Sequence, residues 1–159
     1  MSYRFIRVTN YYPQYLKKYY SNNFDILSNN YEEQYRLITS DSFESASSYS
    51  KNLNKIEGVQ AFDIISNADA LQDTWRKENN LPQNISKQNL ILEQLKIYKP
   101  NVVWVDDFSF IDDEWKRILL ENVPSVKLLI GHICAPYNSE MAAKFKLFDV
   151  IFTCIPCFK

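Results

Sequence analysis

Two adjacent carboxylates, Asp106 and Asp107, follow directly on the apolar run Val102-Val103-Trp104-Val105. Neighbouring residues leaving a strand point to opposite sides, so one of the two faces any crevice at that strand end. A carboxylate there serves as a general base on an acceptor hydroxyl, as a ligand for sugar hydroxyls, or simply as a loop or helix cap. We take Asp107 as the candidate catalytic group and Asp106 as a substrate-binding one. Arg7 lies inside another apolar run, Phe5-Ile6-Arg7-Val8. A guanidinium there is costly unless paired, and Asp107 or Glu33 is its expected partner, with a substrate phosphate or carboxylate as the alternative. His132 is the only histidine, so any Ser-His or Cys-His nucleophile must use it. It can also act as an acid or base, or hydrogen-bond a ligand or the backbone.

Other features carry competing readings. His132-x-Cys134 and Cys154-x-x-Cys157 together offer four zinc-type ligands. The zinc deaminase pattern needs a glutamate two residues after the histidine, and Cys134 stands there instead. Cys154-Ile155-Pro156-Cys157 has the spacing of a thioredoxin-like motif, but that motif belongs after an early strand and at the opening of a helix. No metal and no cofactor is expected. The tyrosines Tyr11, Tyr12, Tyr15, Tyr19 and Tyr20 could stack on sugars or bases. At their helical spacing, core packing is the plainer role.

Scarcity narrows the chemistry further. The chain has two glycines, Gly58 and Gly131, so neither a Walker A loop nor a GxGxxG turn can be present. Eighteen basic residues stand against nineteen acidic ones, a formal charge of -1. No global basic field exists to draw nucleic acid. The three cysteines are an odd number placed late in the chain, which is no disulfide framework and suits a reducing compartment. MSYRFIRV has no apolar signal core, and no run nears the roughly 18 apolar residues of a membrane span. The expected location is cytoplasmic, with peripheral attachment at the inner membrane face left open.

Periodicity supplies the elements that must position these residues. Strands are expected at Phe5–Val8, Ala61–Ser66, Val102–Val105, Val126–Ile130 and Val150–Cys154. Helical stripes lie between them. Pro13 suits a first turn running through Tyr20. Asn30 and Glu33 resemble a capping box opening a helix that reaches, with or without a break, to about Ile56, with Gly58 as its stop. Phe43, Ala46 and Tyr49 recur within that stretch as a small-residue helical face. A piece around Ala70–Glu78 ends at Pro82. Ser86 caps a helix carrying Leu90, Ile91, Leu95 and Tyr98, stopped by Pro100. Asp112, Asp113 and Glu114 place negative charge at another helix start, where the dipole favours it. Ser139 caps the last helix. Five alternations of strand and helix mean right-handed crossovers and a parallel sheet. With 159 residues, the chain makes a single domain at roughly 150 residues per domain. The expected fold is a three-layer α/β/α Rossmann-like domain of order 2-1-3-4-5, or else 3-2-1-4-5. Ligands then bind beyond the carboxyl ends of the strands: Thr9, Asn10, Tyr11 and Tyr12; Asn67; Asp106, Asp107 and Phe108; His132, Ile133 and Cys134; Thr153 and Cys154.

The run Arg7-Val8-Thr9-Asn10-Tyr11-Tyr12-Pro13, followed by Tyr15-Leu16, resembles the opening of a group of bacterial GT-B-type glycosyltransferases. These are related to the CgeB-like proteins of surface-polysaccharide and spore-maturation clusters. Further stretches agree in order and spacing: Tyr31 to Tyr35; Asn67-Ala68-Asp69 with Leu71, Gln72 and Trp75; Lys99 to Val103 leading to Asp107; Lys127 through Pro136; and Phe148 to Thr153. The resemblance covers essentially the whole chain. It implies two Rossmann-like domains around a cleft. The first domain, residues 1–159, is mainly the acceptor side, and a second, beyond Pro156-x-Phe158, holds most nucleotide-sugar contacts. It implies transfer of a sugar from a nucleotide-sugar donor to a glycan or other surface-polysaccharide acceptor, with helix dipoles rather than metal stabilising the leaving diphosphate. Asp107 would be the base or an acceptor ligand, with Arg7, Thr9, Asn10, Tyr11, Asp106 and His132 around it. Asp106 and His132 depart from the group's pattern, a neutral amide being common at the first position. Alone, this half is expected to be inactive. Its last strand has no covering helix, so a homodimer through that strand is a further expectation. The rival reading is a non-enzymatic flavodoxin-like or receiver-like binding module.

Overall fold

Helices lie on both faces of a five-stranded, all-parallel sheet in a computed structural model that describes residues 2–41, 43 and 47–154. The strands are β1 (Tyr3–Thr9), β2 (Val59–Ile65), β3 (Val102–Val105), β4 (Leu128–His132) and β5 (Val150–Phe152), in the order β2-β1-β3-β4-β5. This is the first of the two expected orders. The helices are α1 (Pro13–Asn22), α2 (Tyr31–Ser40), α3 (Ser48–Leu53), α4 (Asp69–Glu78), α5 (Lys87–Tyr98), α6 (Asp113–Asn122) and α7 (Ser139–Ala143).

Register fixes what each face carries. Arg7 lies between Asp63 on β2 and Trp104 on β3, and Val8 lies between Ile64 and Val105. Strand alternation therefore sorts the sheet into two unlike faces. One bears Ile6, Val8, Ile64, Val103, Val105 and Leu129, and packs on Ile91, Leu92 and Leu95 of α5 and Trp115 and Leu119 of α6. The other bears Phe5, Arg7, Thr9, Asp63, Trp104, Asp106 and His132. Over β1 and β2, α3 covers this second face: Tyr49 lies against Arg7 and Ser50 against Asp63. Toward β5, Val150 and Phe152 are exposed among the described residues, with Phe152 stacked on Trp104 at 5.3 Å between ring centroids. A second cluster, built on Leu16, Ile38, Ile65, Leu71 and Trp75, ties α1, α2 and α4 to the β2 side.

Local signals account for most boundaries. The Asn30 side chain accepts from Glu33 N at the start of α2, Ser86 from Asn89 N at α5, and Asp112 from Trp115 N at α6. Lys99 ends α5 in the left-handed region with φ 48°, and Pro100 follows. Several expectations shift. The helix opened by Asn30 ends at Ser40, and α3 is a separate helix ending at Leu53, ahead of Ile56. Gly58 accordingly serves the turn into β2, with φ 78° and its carbonyl accepting from Tyr3 N at 2.7 Å. Ala46 of the expected Ser-rich helix lies outside the described residues. α4 ends at Glu78 as expected, but the stop is Asn80, in the left-handed conformation that asparagine tolerates, rather than Pro82. The cap of α7 is Asn138, whose extended backbone lets its side chain accept from Met141 N; Ser139 is already helical. β5 stops at Phe152, ahead of Cys154.

No helix among the described residues is long and apolar enough to cross a membrane. Gly131, in β4, lets Ile151 and Phe108 pack close against the strand. A Cβ there would lie 2.6 Å from Ile151 Cδ1 and 2.7 Å from Phe108 Cζ. Overpacking of this kind costs typically about 1–3 kcal/mol. Gly131→Ala is therefore expected to lower the urea midpoint by that amount of stability; an unchanged midpoint would show that Phe108 and Ile151 yield freely.

Candidate functional site

The carboxyl ends of β1, β3 and β4 open into a cleft of about 540 Å3. Arg7, Thr9, Asn10, Tyr12, Asp106, Asp107, His132 and Cys134 all line it. β1 and β3 are the neighbouring strands from which the chain winds in opposite directions, the place where open α/β sheets leave a crevice.

Asp106 is the hub. Its Oδ2 accepts from Arg7 Nε at 2.8 Å, and Arg7 Nη2 lies 2.6 Å from the same oxygen. Its Oδ1 accepts from Trp104 Nε1 at 2.7 Å and faces His132 Nδ1 at 3.0 Å. Thr9 adds a further side-chain hydrogen bond. Burial by itself would raise the Asp106 pKa. The bonds from His132, Thr9 and Trp104 and the charge of Arg7 outweigh it, and hold the carboxyl below the usual carboxylate range. Arg7 is buried, with its guanidinium carbon 4.7 Å from the Tyr49 ring centroid. Its partner is thus Asp106, not Asp107 or Glu33. The reason is parity: Arg7 pairs with Trp104, so Asp106, two residues on, emerges on the same face. Glu33 instead pairs with Arg36 on the surface of α2.

Asp107 points the other way along the rim. Its Oδ2 accepts from Asn10 Nδ2 at 2.6 Å and its Oδ1 from Ser109 N at 2.8 Å. The Ser66 hydroxyl in turn donates to Asn10 Oδ1. Burial raises the Asp107 pKa, but Ser109, Asn10 and the charge of Lys87 prevail and lower it. An ionised carboxylate with a depressed pKa is a weak base at neutral pH and a good hydrogen-bond acceptor.

Tyr11 does not reach the cleft. It is buried in the cluster of α1, α2 and α4, beside Tyr15 and Phe43. Asn67 fixes its backbone: Asn67 Oδ1 accepts from Tyr11 N at 2.9 Å, and Asn67 Nδ2 donates to Tyr11 O at 2.6 Å. The clamp turns Tyr11 inward and leaves the exposed Tyr12 ring on the rim. Among Tyr15, Tyr19 and Tyr20, packing against the second core is likewise the observed role.

Cys134 and Cys154 are joined in a disulfide, with Cα atoms 5.5 Å apart. An odd, late-placed cysteine count argues against a disulfide framework and for a reducing compartment; the adjacency of β4 and β5 nonetheless brings this one pair together. Cys157 lies outside the described residues, as do Pro156 and Phe158. Among the described residues no cluster of three His, Cys, Asp or Glu side chains is arranged to hold a metal ion.

Three features go beyond the sequence expectations. Trp104 as a donor to Asp106 follows only from the i, i+2 relation on one strand face. The contact between Cys134 Sγ and His132 Nε2, at 3.2 Å, has the same i, i+2 spacing. Asp63, fully buried inside an apolar strand beside Arg7, was available as a signal in the run AFDIIS. Burial raises its pKa to about 6, against the lowering effects of the Ser50 hydroxyl and the charges of Arg7 and Lys51. Its Oδ1 meets no hydrogen-bond donor among the described residues.

Comparison with protein-family profiles, curated proteins and solved structures returns no match.

Asp63 makes stability depend on pH in a defined sense. Between an unfolded value of about 3.9 and a folded value of about 6, the folded chain holds a proton that the unfolded chain has lost. Stability linked to this group is present below that window and is lost as pH rises through it, by roughly 2–3 kcal/mol in all. Urea unfolding at several pH values should show this fall in the wild type and a flatter profile in Asp63→Asn. Parallel profiles for the two proteins would mean that Asp63 is ionised throughout.

Proposed function

We propose that the chain is the acceptor-binding domain of a glycosyltransferase that moves a sugar from a nucleotide-sugar donor to a glycan or other surface-polysaccharide acceptor. The observation that carries this reading is the cleft lining. The ionised Asp107 carboxylate, the Asn10 amide, the His132 ring and the exposed Tyr12 ring converge at one end of the sheet, against a wall that includes Thr9, Arg7 and Asp106. Sugar hydroxyls donate to carboxylates and accept from amides, and an aromatic ring packs on the apolar face of a pyranose. Asp107 is the residue whose carboxylate meets an acceptor hydroxyl. Asp106 and Arg7 hold the wall in place, with their mutual bonds already made. The donor is bound by a second domain in this reading, and the cytoplasm is where nucleotide sugars would be met. The resemblance of the Arg7–Pro13 stretch supports the same assignment.

A second reading has its own support, since 2-1-3-4-5 is also the flavodoxin-like order. A flavodoxin-like or receiver-like module would bind a flavin or a protein partner without catalysis. Thr9 and Asn10 stand where a receiver places an acidic pair after its first strand.

The purified 159-residue chain is expected to bind oligosaccharides in an NMR titration, with shifts at Asn10, Asp107 and His132, and to transfer no sugar. Asp107→Asn should weaken that binding by about tenfold, the equivalent of one charged hydrogen bond. A yellow protein with bound flavin, full turnover by this chain alone, or glycan binding indifferent to Asp107→Asn would each contradict the reading.

A further inference from the structure

The Cys134 sulfur occupies a more defined setting than a surface disulfide needs. It lies 3.2 Å from His132 Nε2, and the backbone N–H of Cys154 donates to it at 3.1 Å. On the far side of the ring, His132 Nδ1 lies 3.0 Å from Asp106 Oδ1. Asp106 is an acceptor, so the hydrogen sits on Nδ1 and Nε2 is turned toward the sulfur. Asp106 is itself immobilised by Arg7 and Trp104. The three groups Asp106, His132 and Cys134 thus stand in the order orienting carboxylate, imidazole, sulfur, along one wall of the cleft. Both Cys134 and Cys154 are exposed. The other charged groups facing this wall are Arg7 from β1 and Asp107 from the end of β3. Lys144, just past α7, is turned to the carbonyls of Phe108 and Ser109.

We propose that the Cys134–Cys154 disulfide is a reversible thiol switch, with Cys134 as the activated thiolate and a low-molecular-weight thiol as its co-reactant. This does not rest on the glycosyltransferase reading. In opening, an external thiolate attacks Cys154 Sγ. The S–S bond breaks, and its electron pair stays on Cys134 Sγ. That thiolate is held by the Cys154 N–H and by the His132 imidazolium, formed when Nε2 takes up a proton. Attack falls on Cys154 because Cys134, the better stabilised thiolate, is the better leaving group. A second external thiolate then attacks the small-molecule sulfur of the mixed disulfide and frees Cys154. Two thiols are oxidised to one disulfide, and the protein disulfide is reduced to two thiols, with two protons transferred from the former to the latter. The reverse sequence recloses it. Closure staples the end of β4 to the segment leaving β5; opening leaves a nucleophilic sulfur in the cleft wall.

The test uses the full chain with Cys154→Ser and Cys157→Ser, which leaves Cys134 as its one thiol. Iodoacetamide alkylation followed against pH should show a midpoint well below the roughly 8.5 of a free cysteine. Adding His132→Asn should slow alkylation at about pH 6.5 by about tenfold and return the midpoint toward the free value. His132 is partly exposed, so this variant is expected to fold. A midpoint at the free-cysteine value, or a profile unmoved by His132→Asn, overturns the proposal. Independently, the wild type equilibrated in mixtures of reduced and oxidised glutathione should yield Cys134–Cys154-linked peptides that appear and disappear with the mixture. A Cys154–Cys157 link in their place would overturn it as well.

Discussion

A guanidinium placed in the middle of a parallel sheet must find a carboxylate or be expelled. Arg7 finds Asp106, and the rest of the cleft follows from that pairing. Arg7 enters from β1 and Asp106 leaves β3, so the ion pair spans the two strands where the winding of the fold reverses. The same carboxylate draws in the indole of Trp104 and the imidazole of His132, which belongs to β4. Three strand ends are thereby locked to one acidic group. Its ionised state is sustained by donors on both oxygens, which offset the cost of burial. Removing either partner would leave a buried charge uncompensated, a change of a few kcal/mol rather than tenths.

The pairing also divides the sheet's two faces by chemistry. One is a continuous apolar layer under α5 and α6. The other carries a row of polar and aromatic groups from Asp63 through Arg7 and Trp104 to Phe152. Asp63 and Asp106 flank the same guanidinium but titrate in opposite senses. Asp106 collects hydrogen bonds at both oxygens, whereas Asp63 has the Ser50 hydroxyl at one and no donor among the described residues at the other. Burial therefore wins at Asp63 and loses at Asp106. Asp107, on the opposite side of the chain from Asp106, is left at the rim with the Asn10 amide and the Ser109 backbone. One residue of difference in the segment leaving β3 separates a structural hub from a group that can meet a ligand.

Much of the fold was legible because apolar runs such as Val102–Val105 and caps such as Asn30, Ser86 and Asp112 are local signals. Alternation of strands and helices implied a parallel sheet and left two orders open, 2-1-3-4-5 and 3-2-1-4-5, of which the first is observed. The partner of Arg7 was not legible, because register is a non-local quantity: a shift of one residue between β1 and β3 would have presented Asp107 instead. Tyr11 was misplaced for a related reason. The sequence locates it at a strand end, but only the mutual clamp with Asn67 decides that its ring turns inward. The disulfide required knowing that the ends of β4 and β5 are neighbours, which an odd number of cysteines conceals. Asn80 overrode Pro82 as the stop of α4 because a left-handed asparagine acts before the proline is reached.

The most direct test of Asp106 as the organising charge is its own titration, followed by carboxyl carbon NMR in the intact chain with Asp106→Asn as the assignment control. The midpoint is expected below the ordinary aspartate value of about 3.9, accompanied by a shift at the His132 ring as the carboxylate is lost. A midpoint at or above that value, with the His132 signals indifferent to it, would mean that burial governs this carboxyl and that the cleft is not built around its charge.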